Sequence, residues 1–337
     1  MTAIAVLVCV TASAQEKVFP IVYYNVENFF DTVRDTTIND VDFTPDGQKK
    51  WNDAKYAKKL NNLQRVFYSI AQAAHTFPTI IGISEVENRK VVDDIASTEK
   101  LLPANYQIVH YDSPDRRGID VALLYRPDQF HFIESKAFPV KVEDMPDFHT
   151  RDVLMVMGEI ENERFAFFVN HWPSRGGGQE RSEPLRCRAA EVARHAIDSI
   201  QNVYPDIKIV LMGDLNDDPI NKSVHDVLGA TGKIKEVKEN GLFNPMWQML
   251  KDGYGTLGYR DKWNIFDNMV VNENLLNNGT IRLKKSGKYY AHIFNKSFLV
   301  QKKGQFKNYP FRTFSGNNFQ GGFSDHFPVY LLLTKQD

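Results

Sequence analysis

The sequence predicts an α+β fold in which two mixed β-sheets pack together and helices cover them. Three observations lead to this prediction: short apolar segments recur along the chain, helix-period segments separate some of them, and others follow one another directly. The short segments are rich in Val, Ile, Phe and Tyr, which is typical of β-strands. The predicted strands are residues 18–24, 79–84, 106–111, 119–125, 153–160, 165–171, 208–212, 265–271 and 328–333.

Two segments have the apolar spacing of helices. The second predicted helix covers residues 184–200. In the first, apolar residues recur every three or four positions, which places one stripe on one face of a helix. These residues are Tyr56, Leu60, Leu63, Phe67, Ile70 and Ala74.

Several predicted strands follow each other without a helix between them. The strand at 119–125 is followed by a short hairpin, and the strand at 153–160 is joined to 165–171 across residues 161–163. Directly connected strands favour mixed sheets over a purely parallel, doubly wound sheet. No internal repeat, low-complexity tract or Pro-rich linker marks a boundary, so we expect one domain.

The composition is that of a globular protein. Of 337 residues, 42% are hydrophobic and 25% are charged, which is enough apolar material for a large core and argues against disorder. The formal net charge is -1, which argues against binding nucleic acid by bulk positive charge and leaves a local basic cleft open. We expect a monomer.

The N-terminal residues predict export. Residues 1–14 are largely apolar and end in Ala12-Ser13-Ala14, as a signal peptide with an A-x-A cleavage site does. The basic residues that usually begin such a peptide are missing, so a buried first strand is the alternative. A cleaved signal peptide predicts a periplasmic or extracellular protein. Cleavage would also leave Cys187 as the single cysteine, without a partner for an intramolecular disulfide. No later segment is apolar for the ~18 residues that a membrane span needs.

Polar side chains cluster at the ends of the predicted strands, where open sheets present catalytic groups. The segments that carry them are 24–28 (YNVEN), 84–88 (SEVEN), 170–178 (NHWPSRGGG), 212–219 (MGDLNDDP), 266–268 (FDN) and 323–328 (FSDHFP). Each residue alone has a structural explanation, such as a turn cap or a solvated loop. Together they bring carboxylates, amides and histidines to the ends of several strands.

These residue types suit the hydrolysis of a phosphate ester, which needs an activated water, relief of phosphoryl charge and a stabilised leaving oxygen. Carboxylates such as Glu85 and Glu27 suit Mg²⁺, which takes oxygen ligands. Amides such as Asn25 and Asn216 can orient a phosphate without adding negative charge. A histidine paired with a buried carboxylate has a fixed tautomer and a raised basicity.

The chain resembles the endonuclease/exonuclease/phosphatase superfamily, because six motifs occur in the family's order. They are YNVEN at 24–28, SEVEN at 84–88, NHWPS at 170–174, GDLND at 213–217, FDN at 266–268 and SDHFPV at 324–329. The resemblance spans nearly the whole mature chain. It implies a four-layer α/β/β/α sandwich over residues 18–335 and a divalent cation, Mg²⁺ or Mn²⁺, with Ca²⁺ as an alternative.

The resemblance also implies roles for single residues. Glu85 is the main metal ligand, with Asn25 and Glu27 beside it, and Asp325 completes the metal or water network. The second motif has Ser84 where many relatives have glutamine, which removes no ligand and suggests a bacterial branch outside the well-studied nucleases.

The remaining catalytic roles follow from the same resemblance. Asp214 and Asn216 contact the attacking water and the phosphate, and His171 lies near the scissile phosphate. His326 pairs with Asp267 as the acid/base element. Whether Asp214 or His326 deprotonates the water stays open, as does one metal against two.

Three residues are predicted to contact the substrate. Arg151 resembles a phosphate-contacting arginine of the deoxyribonuclease branch, while Ser174 and Arg175 begin a Gly-rich loop that brings N–H groups and a guanidinium to a phosphate.

The sequence leaves the substrate open. Exported relatives are often nucleases, so nucleic acid is the first expectation. A sphingomyelinase or an inositol-phosphate phosphatase is the enzymatic alternative. A third interpretation is a non-catalytic binding module of the same fold, which would lack some of the expected site residues, and none is missing.

Overall fold

The computed structural model describes residues 16–259 and 261–335, so the predicted signal peptide at 1–14 lies outside the described residues. The strands in chain order are β1 Val18–Phe29, β2 Ile80–Val86, β3 Gln107–His110, β4 Asp120–Tyr125, β5 His131–Phe138, β6 Val153–Ile160, β7 Glu163–His171, β8 Lys208–Asp214, β9 Ala230–Thr231, β10 Leu242–Phe243, β11 Leu257–Tyr259, β12 Lys262–Asn264, β13 Asp267–Asn272, β14 Ile281–Leu283, β15 Ala291–Ile293, β16 Phe314–Ser315, β17 Asn318–Phe319 and β18 Val329–Lys335. The α-helices are α1 Asp53–Ala74, α2 Arg89–Ala96, α3 Gln179–Val203, α4 Met246–Lys251 and α5 Asn274–Asn277.

The strands form two mixed seven-stranded sheets. The first has the order β14-β18-β1-β2-β4-β3, with β15 also paired to β18, and the second has the order β5-β6-β7-β8-β13-β10-β9. The pairs β1–β2 and β7–β8 are parallel, whereas β1–β18, β2–β4 and β8–β13 are antiparallel. Both sheets are therefore mixed, as the directly connected strands predicted.

Three apolar layers hold the sheets and helices together. Ile21 and Tyr23 of β1 face the core between the sheets, while Val22 and Tyr24 face a second core under α1 and α2. A third core lies between α3 and the outer face of the second sheet, where helix alanines such as Ala193 pack. Alternate residues of a strand point to opposite faces, so each central strand contributes to two layers. The predicted four-layer α/β/β/α sandwich is confirmed.

Each predicted strand coincides with an observed strand, but one connection is wrong. The predicted hairpin after residue 125 does not form: β4 pairs with β2 and β3 in the first sheet, whereas the following β5 pairs with β6 in the second. The side chains of β5 are mostly exposed, so its apolar pattern is weak. The chain therefore crosses between the sheets at residues 126–130.

The other short connection is confirmed. Glu161 and Asn162 join β6 to β7 with φ values of 50° and 64°, the left-handed pair of a tight hairpin turn. Helix α3 begins at Gln179, one turn before the predicted start near Pro184. A proline close to the start of a helix removes few helical hydrogen bonds, so it did not mark the boundary. In the described part of the chain, no helix has the length and hydropathy to span a membrane.

Candidate active site

The predicted site residues converge at one edge of the sandwich because strands of both sheets end there. In the first sheet Asn25 is paired with Ser84, the residue before Glu85. In the second sheet His171 and Asp267 are both paired with Asp214, one on each side. Side chains that are far apart in sequence therefore meet across the two sheets.

Asn25 connects the two sheets at this edge. Its buried side-chain amide donates to Asp214 Oδ2 at 2.9 Å and lies 3.3 Å from Glu85 Oε1. Its own Oδ1 accepts from the backbone N–H of Glu27 at 2.9 Å, which fixes the orientation of the amide. Asn25 thus positions the carboxylates of Asp214 and Glu85 beside each other, and its neutral amide adds no charge to the site.

Glu85 is held by an unusual backbone. Its φ is 64°, and Glu27 and Asn28 have φ values of 53° and 47°, a left-handed region that residues with a side chain rarely adopt. The pairing of β1 with β2 shifts register at this point. The turn directs the backbone N–H of Asn28 to Glu85 Oε2 at 2.8 Å. Such strain is typical of functional sites.

Asp214 lies between two histidines. Its Oδ2 is 3.7 Å from His171 Nε2 and 3.7 Å from His326 Nε2, and its Oδ1 accepts from the backbone N–H of Asn216 at 2.9 Å. Burial raises the pKa of Asp214 to about 6, while His326 opposes the rise and Asp267 adds to it. The carboxylate therefore has the basicity of a group that can take a proton near neutral pH.

His326 and Asp267 form the predicted pair. His326 Nδ1 lies 2.7 Å from Asp267 Oδ2, and Asp267 is fully buried. Burial lowers the pKa of His326, but the carboxylates of Asp267 and Asp214 outweigh it, so the pKa lies well above the ordinary value. The pairing at Nδ1 leaves Nε2 on the side of Asp214, with a proton to donate.

His171 has the opposite electrostatic environment. Burial and the nearby Arg151, Arg117 and His326 hold its pKa well below the ordinary value. Its Nε2 is 3.8 Å from Glu85 Oε1, and its Nδ1 has no hydrogen-bond partner among the described residues. The neutral imidazole can accept or donate one hydrogen bond at the site.

Arg151 lies beneath the site and does not face it. Its guanidinium donates to the backbone carbonyls of His171 at 3.0 Å and Trp172 at 2.6 Å, and pairs with Asp115 at 2.8 Å. The side chain is almost fully buried. The geometry therefore does not support the predicted phosphate contact: Arg151 positions the end of β7 that carries His171.

Glu27 and Asp325 lie on the Arg312 side of the site. The carboxylate of Glu27 accepts from the backbone N–H of Thr313 at 2.6 Å, and Asp325 pairs with Arg312 at 2.6 Å. Burial and the carboxylate of Asp325 raise the pKa of Glu27 to about 7. Asp325 Oδ1 is 4.0 Å from His326 Nε2. Asp325 therefore borders the pair of His326 and Asp267, while Glu27 also braces residues 313–314.

The Gly-rich loop lines a neighbouring cavity of about 710 Å³. Ser174 and Arg175 both line it, but Arg175 donates to the carbonyl of Asn216 at 2.9 Å and pairs with Asp217 at 3.0 Å. Its guanidinium stacks on Phe266, with 4.3 Å to the ring centroid. Arg175 thus ties the loop to residues 216–217, and Ser174 is exposed at the rim.

Three hydroxyl residues support the site and were not predicted. The Tyr23 hydroxyl accepts from the backbone N–H of Asp214 at 2.8 Å and lies 2.6 Å from Ser84 Oγ. Ser324 Oγ donates to the carbonyl of Asn25 at 2.7 Å and accepts from the backbone N–H of His326 at 3.1 Å. Ser84 and Ser324 lie inside the predicted motifs, and this position is the one sequence feature that could have indicated their role. In sequence, Tyr23 looks like an ordinary strand residue.

The donor set fits a divalent cation. Glu85 and Asp214 present oxygens to one space around the Asn25 amide. Within the described chain only histidines form ion pairs with these two carboxylates, at 3.7 to 3.8 Å, and no lysine or arginine reaches them. Carboxylate oxygens that no lysine or arginine occupies are available as ligands for a hard divalent cation.

A second group of potential metal ligands consists of His110, Asp112 and Asp120, whose ligand atoms lie within 4.8 Å of one another. His110 Nε2 lies 3.0 Å from Asp120 Oδ2, and Asp120 Oδ1 accepts from the backbone N–H of Ser113. These contacts brace the loop between β3 and β4, consistent with a structural role for His110.

Arg186 of α3 anchors the loop that carries Asp214 and Asn216. It is fully buried and its Nε lies 2.7 Å from Asp217 Oδ2. We expect Arg186→Leu to lower the free energy of unfolding by about 2 kcal/mol, because the buried carboxylate of Asp217 loses one of its two arginine partners and keeps Arg175. Urea denaturation measures this loss. The matched control is Arg188→Leu, whose exposed pair with Glu191 should contribute less than about 1 kcal/mol. Equal losses would contradict the assignment.

Comparison with known proteins agrees with this fold. A family model described as the Endonuclease/Exonuclease/phosphatase family matches residues 20–335. TDP2 from D. rerio in complex with a single-strand DNA product has a TM-score of 0.55 at 12% identity, covering 94% of this chain and 98% of that one. A mannosyl-6-phosphatase from Bacteroides thetaiotaomicron has a TM-score of 0.56 at 16% identity, covering 94% and 99%. The human Nocturnin catalytic domain has a TM-score of 0.52 at 13% identity, covering 95% and 98%. No curated protein sequence matches.

The family match and the fold together define a metal-dependent hydrolase of phosphate esters. Since the family match extends from residue 20 to residue 335, the chain belongs to the endonuclease/exonuclease/phosphatase family.

Proposed function

We propose that residues 18–335 form an exported, Mg²⁺-dependent phosphodiesterase that cleaves nucleic acid. The proposed catalysis rests on one observation: side chains from both sheets border the same space, with polar atoms within 4 Å of one another. These side chains are those of Asn25, Glu85, Asp214, His171 and His326. Together they combine metal-compatible carboxylates, a neutral imidazole and an imidazolium. Export rests on the sequence of residues 1–14.

Glu85 is the residue we propose to hold the cation, with Asp325 on the opposite side of His326. Asn25 directs its amide N–H group toward Glu85 and Asp214 and so orients these carboxylates rather than ligating the ion. A divalent ion bound there offsets the negative charge of the phosphoryl group and lowers the pKa of a bound water. Mg²⁺ fits because the donors are oxygens and few enough to leave positions for water and substrate. Mn²⁺ satisfies the same donor set.

The protein side chains supply the proton transfers. Asp214, with a pKa of about 6, is basic enough to accept a proton from water and is oriented by Asn25 and Asn216. His326 presents a protonated Nε2 beside it, which can stabilise phosphoryl charge or protonate the leaving oxygen. His171, held neutral, can hydrogen-bond a phosphoryl oxygen or the attacking water. We therefore favour Asp214 over His326 as the base.

A phosphomonoesterase is the second candidate, since the mannosyl-6-phosphatase shares this fold as closely as TDP2 does. The two candidates differ in the number of ester bonds on the scissile phosphate. A diester has a second alcohol that needs space beyond the catalytic centre, and open cavities adjoin it on both sides of Tyr259.

A substrate panel tests the proposal. Purified protein is assayed with Mg²⁺, Mn²⁺ and Ca²⁺ on single- and double-stranded DNA, RNA, bis-p-nitrophenyl phosphate, p-nitrophenyl phosphate, sphingomyelin and inositol phosphates. We expect hydrolysis of the diesters with Mg²⁺ or Mn²⁺, and its loss in EDTA. Exclusive activity on monoesters would establish the phosphatase instead. A protein inert toward the whole panel in every metal would contradict the proposal and favour the binding module.

A further inference from the structure

A groove with a positive lining lies outside the catalytic centre. It has a volume of about 590 Å³ and is lined by Lys58, Arg65, Lys302 and Lys303, together with apolar and amide residues. Among the described residues that line it there is no Asp or Glu. None of the four cations forms an ion pair with a carboxylate in the described chain, and Arg65 instead stacks on Phe298. The groove therefore carries unneutralised positive charge in a protein whose formal net charge is -1.

Two separate parts of the fold build this groove. Lys58, Asn62 and Arg65 lie on one face of α1, and the Asn62 amide fixes that face to the chain by donating to the carbonyl of Gly321 at 3.0 Å. The opposite wall is an excursion of residues 301–309, closed by the bridge between Val300 and Pro310. The groove is thus a defined concavity rather than a set of scattered surface lysines.

A pocket adjoins both the groove and Asp325. This pocket, of about 230 Å³, shares Gln301 and Phe311 with the groove and is also lined by Asp325, the neighbour of His326. Two aromatic rings on its rim are open to solvent, Tyr259 with 61% exposure and Phe306 with 38%. Tyr259 also lines the cavity of the Gly-rich loop. The cavity of the Gly-rich loop, this pocket and the basic groove are therefore neighbours that share wall residues, and we call the three together the cleft.

The hairpin β11–β12 that carries Tyr259 is fixed to the catalytic centre. Trp263 stacks on Phe327, which follows His326, with ring centroids 6.1 Å apart. Gly258 lies against the ring of Tyr309, where an added Cβ would come within 2.8 Å of the ring atoms. The position of Tyr259 is therefore set by the same packing that sets His326.

We propose that this groove, lined by Lys58, Arg65, Lys302 and Lys303, is a second phosphate-binding site, and that the occupant of the whole cleft is a single-stranded polynucleotide. This inference rests on the proposed nuclease function and adds its substrate form. A base stacks on Tyr259 or Phe306 in the pocket, and phosphates further along the strand bind in the groove. Aromatic platforms beside basic grooves are how proteins hold single strands without reading their sequence. A small sugar phosphate or a monomeric diester does not extend to the groove.

The test compares substrates of different length. Lys302→Glu with Lys303→Glu is assayed on a single-stranded octanucleotide, on a dinucleotide and on bis-p-nitrophenyl phosphate. We expect kcat/KM on the octanucleotide to fall at least about tenfold at low salt, mainly through KM, with the two short substrates unaffected. The dependence of log kcat/KM on log salt concentration should become shallower by about 0.7 for each phosphate that the variant no longer neutralises.

The control carries the same change of charge elsewhere. The double variant Lys235→Glu with Lys238→Glu alters the loop between β9 and β10. Strand β10 pairs with Val271 and Asn272, at the end of β13 that lies away from Asp267. A similar loss in this control would mean that only the overall charge matters, and would overturn the second site. So would an unchanged octanucleotide reaction in the Lys302 and Lys303 variant.

Binding measurements separate this inference from the proposed function. Fluorescence anisotropy with a labelled octanucleotide is measured in EDTA, with inorganic polyphosphate as a competitor. Tyr259→Ala should weaken octanucleotide binding at least about fivefold and leave polyphosphate binding unchanged. Equal effects on both ligands would mean a general polyanion site. Hydrolysis of bis-p-nitrophenyl phosphate without octanucleotide binding would overturn the second phosphate-binding site and support the phosphodiesterase activity. Octanucleotide binding without any hydrolysis would support the binding site and contradict the phosphodiesterase activity.

Discussion

His326→Ala is expected to lower kcat on the best substrate of the panel by at least ~10²-fold, the scale for removing a group that transfers a proton in the transition state. His326 Nε2 lies 3.7 Å from Asp214, and its Nδ1 is bonded to Asp267 at 2.7 Å. The substitution removes the only imidazolium in the described site, while the neutral His171 cannot replace it. Steady-state kinetics at saturating Mg²⁺ measure the loss.

Two further variants define what this loss means. His131→Ala removes an exposed histidine of β5 and should leave kcat unchanged. Asp267→Asn keeps the shape of the pair but removes the charge that raises the pKa of His326. The acidic limb of its pH–rate profile should move to lower pH, because the Asp267 charge also raises the pKa of Asp214. The activity at high pH should fall earlier than in the wild type, because His326 loses its proton at a lower pH. A His326→Ala protein within a few-fold of wild-type kcat would refute the assigned role.

Glu85→Gln is expected to abolish activation by the divalent ion, with a loss of at least ~10²-fold in kcat/KM at millimolar Mg²⁺. Replacing residues that merely support a metal ligand already costs 10- to 100-fold in affinity or activity, so a direct ligand should cost at least as much. The substitution keeps the size of the side chain and the acceptor for the N–H of Asn28 at 2.8 Å. The fold should therefore be retained.

Isothermal titration with Mn²⁺ gives a readout that does not depend on turnover. We expect weaker Mn²⁺ binding in Glu85→Gln and unchanged binding in Glu134→Gln, which alters an exposed residue of β5. The thermal stabilisation that Mn²⁺ gives the wild type should also be lost, since a ligand that binds only the native state stabilises it. Unchanged Mn²⁺ binding in Glu85→Gln would place the cation elsewhere, for example at Glu27 and Asp325.

Much of the fold could be predicted because its signals are local. The alternation of apolar and polar residues marks a strand without reference to any other part of the chain, so each predicted strand was found. The strand β5 was missed since its side chains are exposed, and the connection after β4 was predicted wrongly because hairpin and crossover loops look alike in sequence. Strand pairing is a long-range property that periodicity does not encode.

The proximity of the residues proposed for the site could be predicted to a similar degree. Residues in the family motifs meet as expected: Asn25 contacts Asp214 across 189 positions of sequence, and His326 contacts Asp267 across 59. Arg151 had little sequence context, and its guanidinium faces the backbone of His171 instead of the cleft. Whether an arginine binds a substrate or braces a loop depends on which carbonyls the fold brings to it.

The sequence by itself determined the strands, the motifs at their ends and the family to which the chain belongs, because these depend on residue type and spacing along short segments. The tertiary structure alone decided the charge state and the surroundings of each group: the raised pKa of His326, the lowered pKa of His171, and the basic groove between α1 and residues 301–309. Burial and electrostatic interaction depend on distances through space, and those exist only once the two sheets and their helices have packed.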